Sequence, residues 1–403
     1  MLNITPSKVK SAFQGDPFIW AIVFILSVIG ILAVYSSTGT ISFSKQQGDT
    51  EHYLLRHFGF IAAGWGIMYL THKIPFKYYA KISFVMLIVS IILLYLTLVV
   101  GYKINNAARV IPIFGFTLQP SDMAKLFLAI FIARYMSKNQ DEVDKPKVFG
   151  TIIGVIVLVI IPIIPENLST SLVIICTSTL IMIMGRIKMK FIIIMGLILM
   201  SIASIFYLFL MNIDMDKYQD TRLPTWKRRI ETYMGKDVDG NGGYQQLQAK
   251  IAVASGGFWG KGPGNSTQRN FLPHPYSDFI FAIIVEEYGF VGGFILVICY
   301  LGLIYRSLKM VVETQRSFAA LVVLGISVTT TVQALIHMGV SIGKLPVTGL
   351  TLPLVSMGGT SILFNSMAFG IILGVSRHIQ QEKLRTSVQG AGSVSPDNSE
   401  NNG

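Results

Sequence analysis

The sequence predicts an all-α, polytopic membrane protein of about ten transmembrane helices, and three observations carry that prediction. Of its 403 residues 52% are hydrophobic and 13% charged, against about a quarter charged in ordinary soluble domains. Apolar stretches of about 17 to 25 residues recur along most of the chain, the length needed to cross a hydrocarbon core about 30 Å thick. They lack the ten-residue alternation of barrel strands, and lipid offers no partner for backbone N–H and C=O groups, so spans this continuous must be helices. A soluble enzyme is excluded.

In chain order the spans fall near 18–38, 54–71, 80–100, 121–136, 148–164, 169–185, 191–211, 279–305, 318–341 and 357–376. The first follows a polar, charged stretch and lacks a small-residue cleavage site, so it reads as an uncleaved span. The second is short and broken by Gly64 and Gly66. The fourth opens on Pro120, which suits a first helical position, yet carries Asp122 and Lys125 in its first turns. This organisation gives a cytoplasmic N-terminus over 1–17, a membrane domain over 18–376 with an exterior segment at 212–278, and a tail over 377–403. The tail is rich in Ser, Gly and Asn and too polar to bury a core, so disorder is expected there.

Lysine and arginine set the orientation. Outside the long segment, eighteen lie in the loops of one side, among them Lys73, Lys77, Lys81, Arg134 and Lys138, and six on the other. The positive-inside rule therefore places both termini in the cytoplasm. The same asymmetry accounts for the net charge of +12, and no basic run with interleaved aromatics suggests nucleic acid. Cys176 and Cys299 each lie inside an apolar run and read as packing residues.

The exterior segment is far longer than an ordinary connection, and such segments are usually functional. It contains Trp226, Arg228 and Arg229, the candidate substrate contacts Gln245 and Gln248, and a glycine-rich stretch from Ser255 to Gly264. A nucleotide loop is rejected because neither a βαβ unit nor a Gly-Lys-Ser/Thr triplet is present. Close approach of backbone to a headgroup or another loop, and simple turn formation, explain the glycines equally well. Asp237, Asp239 and Gly240 suggest a calcium loop only faintly, since Gln248 stands where a bidentate Glu is needed.

Asp278 closes the segment, immediately before Phe279, Ile280 and Phe281. A carboxylate at this partly dehydrated edge can act as a general base toward a sugar hydroxyl. A helix-start carboxylate that merely favours the dipole explains the position as well. Glu286 and Glu287 lie about 12 Å further along the same helix, beyond the separation of paired glycosidase carboxylates at about 5 to 9.5 Å. They read as structural or modulating acids. Arg109 and Lys125 bring two cations to the exterior helix start at Pro120, chemistry suited to a diphosphate, while Asp122 shares a face with Lys125. A local ion pair and headgroup anchoring explain these charges slightly better when taken alone. Ser356, Gly358 and Gly359 open the tenth span with a second hydroxyl-rich helix start, for which close helix packing is a strong alternative. The six histidines show no metal-ligand spacing.

Several motifs together resemble the SEDS family of shape, elongation, division and sporulation proteins. They are Asn106 to Arg109, Phe116 to Lys125, Gly243-Tyr244-Gln245 with Ser255-Gly256-Gly257, Gly262 to Gln268, Phe271 to Gly289 and Leu345 to Ser361. The stretches Gly264-Asn265-Ser266, Gln333 to Ile336 and Gly349 to Pro353 are more similar to the division branch than to the elongation branch. The resemblance implies an inverting glycosyltransferase that polymerises lipid II at the outer face of the cytoplasmic membrane. Asp278 matches the family's essential acid and would deprotonate the GlcNAc 4-hydroxyl of one lipid-linked substrate, which attacks the MurNAc anomeric carbon of the other. Arg109 and Lys125 match its basic positions and would stabilise the departing diphosphate, with a divalent cation (Mg or Mn) as a candidate cofactor and no organic cofactor. A class B penicillin-binding protein and other divisome membrane proteins are the implied partners.

Departures from the pattern are local. The family's Gln-Pro-Asp-Leu-Gly-Thr reads Pro165-Glu166-Asn167-Leu168-Ser169-Thr170, so its acidic position is Asn167 and Glu166 is the candidate replacement. The family's Glu-x-His before the catalytic acid reads His274-Pro275-Tyr276, and the Tyr of its Ser-Tyr-Gly-Gly is Met357. Two competing classes remain: a lipid flippase or transporter, which would use Glu286 and Glu287, and a scaffold whose exterior loops only activate a partner synthase.

Overall fold

The computed structural model describes residues 14–38, 50–104, 107–113, 116–213, 218, 221–234 and 241–392. A helix occupies each of the ten predicted positions. These are α1 (Pro17–Ser37), α2 (Thr50–Lys73), α3 (Phe76–Val100), α4 (Pro120–Lys138), α5 (Pro146–Ile160), α6 (Leu168–Met184), α7 (Met189–Asn212), α10 (Ile280–Glu313), α11 (Ser317–Ser341) and α12 (Thr360–Gly392). Two further helices, α8 (Leu223–Tyr233) and α9 (Asn241–Gly256), lie in the segment between α7 and α10. Six helices, α1, α3, α7, α10, α11 and α12, are long and apolar enough to cross a membrane. The chain is a multi-pass membrane protein. The expectations for residues 1–13 and 393–403, and for Asp237, Asp239 and Gly240, fall outside the described residues.

Local chemistry starts these helices. Proline stands in the first turn of α1, α4 and α5, where its missing N–H costs nothing. Asp16 caps α1 through the Phe18 N–H at 2.9 Å and pairs with Arg306 on α10. Within the spans, hydroxyls such as those of Ser90, Thr177 and Thr330 donate to the carbonyl four residues back, which hides their polarity from lipid.

Three features depart from the sequence reading. A small antiparallel sheet, β1 (Tyr102–Ile104), β2 (Ala107–Ile113) and β3 (Phe116–Leu118), fills the turn between α3 and α4. Its two ladders use different halves of β2, so Pro112, paired with Thr117, has a neighbouring strand on one side only. The last helix runs on to Gly392 where a disordered tail was expected. Ion pairs hold the extension against the α10–α11 turn: Glu382 with Arg316 at 2.9 Å and Lys383 with Glu313 at 3.1 Å. Finally, α10 is not one continuous rod, because Gly289 adopts φ 66° and ψ −164° inside it.

That break is filled by the segment between α7 and α10. Lys261 N and Gly262 N donate to the carbonyls of Glu286 and Glu287, both at 2.9 Å, and Phe290 N donates to Gly257 O at 2.9 Å. The backbone of 257–262 thus replaces the helical hydrogen bonds that α10 gives up at the kink. A Cβ on Gly260 or Gly289 would collide with the facing backbone. Of the two readings of the glycine-rich stretch, the structure shows close backbone approach, and the object approached is helix α10.

Candidate active site

Asp278 lies one residue before the N-cap of α10, in a turn where its own N–H donates to His274 O at 3.1 Å. It is half-buried, and Ser277 Oγ donates to its Oδ1 at 2.9 Å. The segment 349–357 crosses in front of it. Gly349 sits where an added Cβ would be 3.6 Å from Asp278 Oδ2, and its φ of 66° suits glycine. Behind the acid, Ser356 Oγ donates to Ser277 O at 2.8 Å and accepts from Leu352 N at 2.8 Å, while Met357 N donates to Tyr276 O at 3.0 Å. The fully buried Tyr300 on α10 donates to Pro353 O at 2.7 Å and braces the crossing from below.

From Asp278 a polar ladder descends along 349–351. His337 on α11 donates through Nδ1 to Leu350 O at 2.7 Å, which fixes the proton on that nitrogen because a carbonyl can only accept. Its Nε2 has no partner among the described residues, and the ring lies within reach of the Asp278 charge. One turn away, Gln333 Nε2 donates to Thr351 O at 2.8 Å and its Oε1 accepts from Lys125 Nζ at 2.7 Å. Lys125 in turn pairs with Asp122 at 2.8 Å. Lys125, Asp122 and Gln333 form the polar part of a small hollow between α4, α11 and α12, whose lining continues through Leu126, Ala129 and Ile326. A polar edge beside an apolar wall suits a lipid-linked headgroup better than a free sugar.

Above the acid, α8 contributes a cation that the sequence reading did not single out. Arg229 is partly buried, and burial, followed by the charge of Arg222, lowers its guanidinium below the ordinary range, with the Asp278 charge opposing. It stays charged at neutral pH. Trp226, on the same helix, packs edge-on against Phe206 of α7 at 5.6 Å and holds α8 down. Tyr276 completes the wall: its hydroxyl pKa is raised by burial first and then by the charges of Tyr53 and Asp278.

The other expected residues distribute as follows. Arg109 falls in β2, and its side chain lies outside the described residues. Gln245 and Gln248 are half-exposed on α9, whereas Gln246 between them is buried and donates to Leu345 O at 3.3 Å. Ser356 has both hydroxyl bonds committed to backbone, so direct contact with a ligand would require breaking them. Gly358 and Gly359 form the half-buried turn into α12, the latter with φ 47° and facing Thr117. Glu166 is half-buried in the turn before α6, where Asn167 caps the helix through Thr170 N at 3.2 Å. Asn and Asp cap equally well, so the helix start survives the loss of the family acid. Among the described residues the carboxylate that pairs with Lys125 is Asp122.

Glu286 and Glu287 take no part in this groove. Glu286 is fully buried and accepts from Lys261 Nζ at 2.5 Å, Ser266 Oγ at 2.5 Å, Thr267 N at 3.1 Å, Thr267 Oγ1 at 2.8 Å and Gln268 N at 3.2 Å. Glu287 accepts from Ser36 Oγ of α1 and from Ser266 N at 3.3 Å. Arg269 closes the knot by donating to Ser36 O at 2.9 Å.

A family model described as Cell cycle protein, FTSW_RODA_SPOVE, matches residues 16–381. The chain belongs to the FtsW/RodA/SpoVE family. Relatives of this FtsW/RodA/SpoVE protein include one of Aromatoleum aromaticum, named "Probable peptidoglycan glycosyltransferase FtsW", 33% identical over 379 residues that cover 91% of this chain and 89% of the relative. A relative of the same name from Idiomarina loihiensis is 29% identical over 370 residues, 89% of this chain and 86% of the relative. Among solved structures, one describing the structural coordination of polymerization and crosslinking by a peptidoglycan synthase complex contains a chain that matches with TM-score 0.70 at 22% identity, over 91% of this chain and 99% of that one. The rod shape determining protein RodA of Thermus thermophilus matches with TM-score 0.63 at 21% identity, over 90% and 97%. At such identities the two structures speak for a shared fold.

Proposed function

We propose that this member of the family is an inverting peptidoglycan glycosyltransferase that polymerises lipid II at the outer face of the cytoplasmic membrane, in septal synthesis during cell division. The observation that carries this reading is the placement of Asp278: half-buried, held by one side-chain hydrogen bond, and followed along 349–351 by polar groups that lead to the Lys125–Asp122 pair at an apolar-walled hollow. The relatives' names supply the substrate class, and their FtsW designation favours division over elongation.

Asp278 takes the proton of the acceptor GlcNAc 4-hydroxyl. The freed oxygen forms a bond to the MurNAc anomeric carbon of the donor, and the bond from that carbon to the diphosphate breaks, so undecaprenyl diphosphate leaves from the opposite face. Cations stabilise the charge that develops on the diphosphate: Lys125 at the edge of the hollow, Arg229 above the acid and, by the family resemblance, Arg109. His337 and Gln333 hold 350–351 in place and thereby fix the wall facing Asp278.

The topology proposed with this activity has ten spans, both termini in the cytoplasm and the segment carrying α8 and α9 outside. The part of α10 beyond its kink, 290–313, is 24 residues long, which at 1.5 Å per residue reaches about 36 Å and suffices to cross the hydrocarbon. The preceding roughly two and a half turns, with Glu286 and Glu287, and Asp278 just before them, then stand in the exterior layer. The transport reading loses its midplane acids in this arrangement.

A divalent cation finds no ready cage, since no three His, Cys, Asp or Glu come together among the described residues. Mg²⁺ needs only one or two carboxylates with substrate phosphates, and Asp122 keeps one oxygen, Oδ2, without a partner. Chelation by EDTA is expected to lower turnover of lipid II, with recovery on adding Mg²⁺ or Mn²⁺; unchanged turnover in EDTA removes the metal from the scheme. The activity itself is tested by giving the purified protein lipid II, with and without a class B penicillin-binding protein, and resolving glycan chains on a gel. Absence of polymer in every combination, with folded protein present, overturns the proposal.

A further inference from the structure

At the end of the bundle opposite Asp278, three cations converge on one groove between α3, α4 and α5. Lys81 stands in the second turn of α3, and Arg134 and Lys138 are one turn apart at the end of α4, on the face that also carries Phe131. Together with Phe84 and Val155 they line a hollow of about 490 Å³. Arg134 Nη1 reaches Lys81 O at 3.5 Å and spans the gap between the two helices. Among the described residues none of the three cations lies within ion-pair distance of a carboxylate. Of the nearby acids, Glu142 pairs with Lys145 and Asp144 with Lys188, and Asp141 makes no ion pair with the three cations among the described residues.

The groove changes character with depth. Its cations sit at the helix ends, and one to two turns further in lie Phe84, 51% exposed, and Phe131, with ring centroids 6.1 Å apart. Tyr135 stacks on Phe131 at 5.9 Å, and Val155 of α5 continues the apolar floor. A ligand matching this gradient has an anionic head and a long apolar body, and it must reach the site from the membrane. A soluble phosphate satisfies the first condition only, and a zwitterionic lipid leaves the excess positive charge uncompensated.

We propose that this groove holds one anionic glycerophospholipid of the cytoplasmic leaflet. Its phosphate lies against Lys81, Arg134 and Lys138, and an acyl chain runs along Phe84, Phe131 and Val155. Basic pockets between transmembrane helices on the cytoplasmic side bind anionic headgroups for the same reason. The leaflet assignment rests on the orientation proposed above, whereas lipid selectivity can be read without substrate and independently of glycosyltransferase activity.

Native mass spectrometry of the full chain in detergent, with phosphatidylglycerol, phosphatidylcholine or glycerol phosphate added in turn, tests the assignment. Wild-type protein is expected to retain one phosphatidylglycerol at least about tenfold more tightly than phosphatidylcholine, and to retain no glycerol phosphate. Lys138→Gln, at an exposed helix end that tolerates change, should weaken retention about fivefold, the factor that corresponds to about 1 kcal/mol per cation near a membrane surface. The combined K81Q/R134Q/K138Q variant should lose the preference. A control with equal loss of charge away from the groove, K190Q/K309Q/R385Q, should keep it. Equal retention of both lipids, retention of glycerol phosphate as tight as that of phosphatidylglycerol, or equal loss in the control and groove variants each overturns the proposal.

Discussion

Two acidic regions lie within ten residues at the start of α10, Asp278 just before the helix and Glu286 inside it, and they are built in opposite ways. Glu286 is fully buried and saturated: a lysine ammonium, three hydroxyls and two backbone N–H groups all aim at it. Asp278 is half-exposed, with one hydroxyl on one oxygen and Gly349 facing the other. A carboxylate surrounded by donors is held in its charged form and has no lone pair to offer, so it works as a fastener. One with few donors keeps lone pairs free for a ligand. The difference lies in the supply of hydrogen bonds, and burial alone would have ranked the two acids the wrong way round.

Four substitutions break or sharpen this contrast. The largest effect is expected from Asp278→Asn, which keeps the shape and removes the base: formation of glycan from lipid II should fall by about 10² to 10⁴, while the thermal unfolding midpoint in detergent stays put. Glycan synthesis at the wild-type rate would mean that another group takes the proton. Glu286→Ala should act on stability, costing about 3 kcal/mol or more because it strands a lysine and several buried donors. A Glu286→Ala protein that unfolds like wild type yet makes no polymer would move this acid from fastener to chemistry.

Gly289→Ala probes the kink that lets the fastener form. With φ at 66° and the Phe258 carbonyl facing the new methyl group, a cost of about 1 to 3 kcal/mol is expected. Hydrogen exchange should rise first at the amides of Lys261, Gly262 and Phe290, and wild-type exchange at those three would show that the loop does not depend on the break. The smallest effect belongs to Ser356→Ala, which removes one brace behind Asp278, about 1 kcal/mol. The expected signature is a several-fold lower kcat with KM unchanged, as befits a positioning residue. A raised KM at constant kcat would instead place Ser356 in contact with substrate.

Much of the fold could be read before the structure, and the reason is local. A chain in lipid must satisfy its backbone within each span, so hydropathy, Pro17 and Pro120 locate helices without reference to the rest of the molecule. Asp278 stood out in the sequence from its position just before an apolar helix and the motif around it. Its surroundings did not. His337 showed no motif spacing and was passed over, although its pairing with Leu350 places it beside the acid. Arg229 was one basic residue among several until α8 laid it above the groove. Glu286 and Glu287 looked like intramembrane charges because the sequence runs without interruption from Phe279 into an apolar helix.

The sequence by itself determined where the ten apolar helices lie, which loops carry the positive charge and which carboxylate immediately precedes α10, since each of these depends on neighbours within a few turns. The tertiary structure alone decided that α10 breaks at Gly289, that residues 257–268 fold back to tie up two acids, and that Lys125, Gln333 and His337 line up below a third. Those outcomes join groups up to about two hundred positions apart in the chain, such as Lys125 and Gln333. No short window of sequence contains the geometry that a hydrogen bond requires.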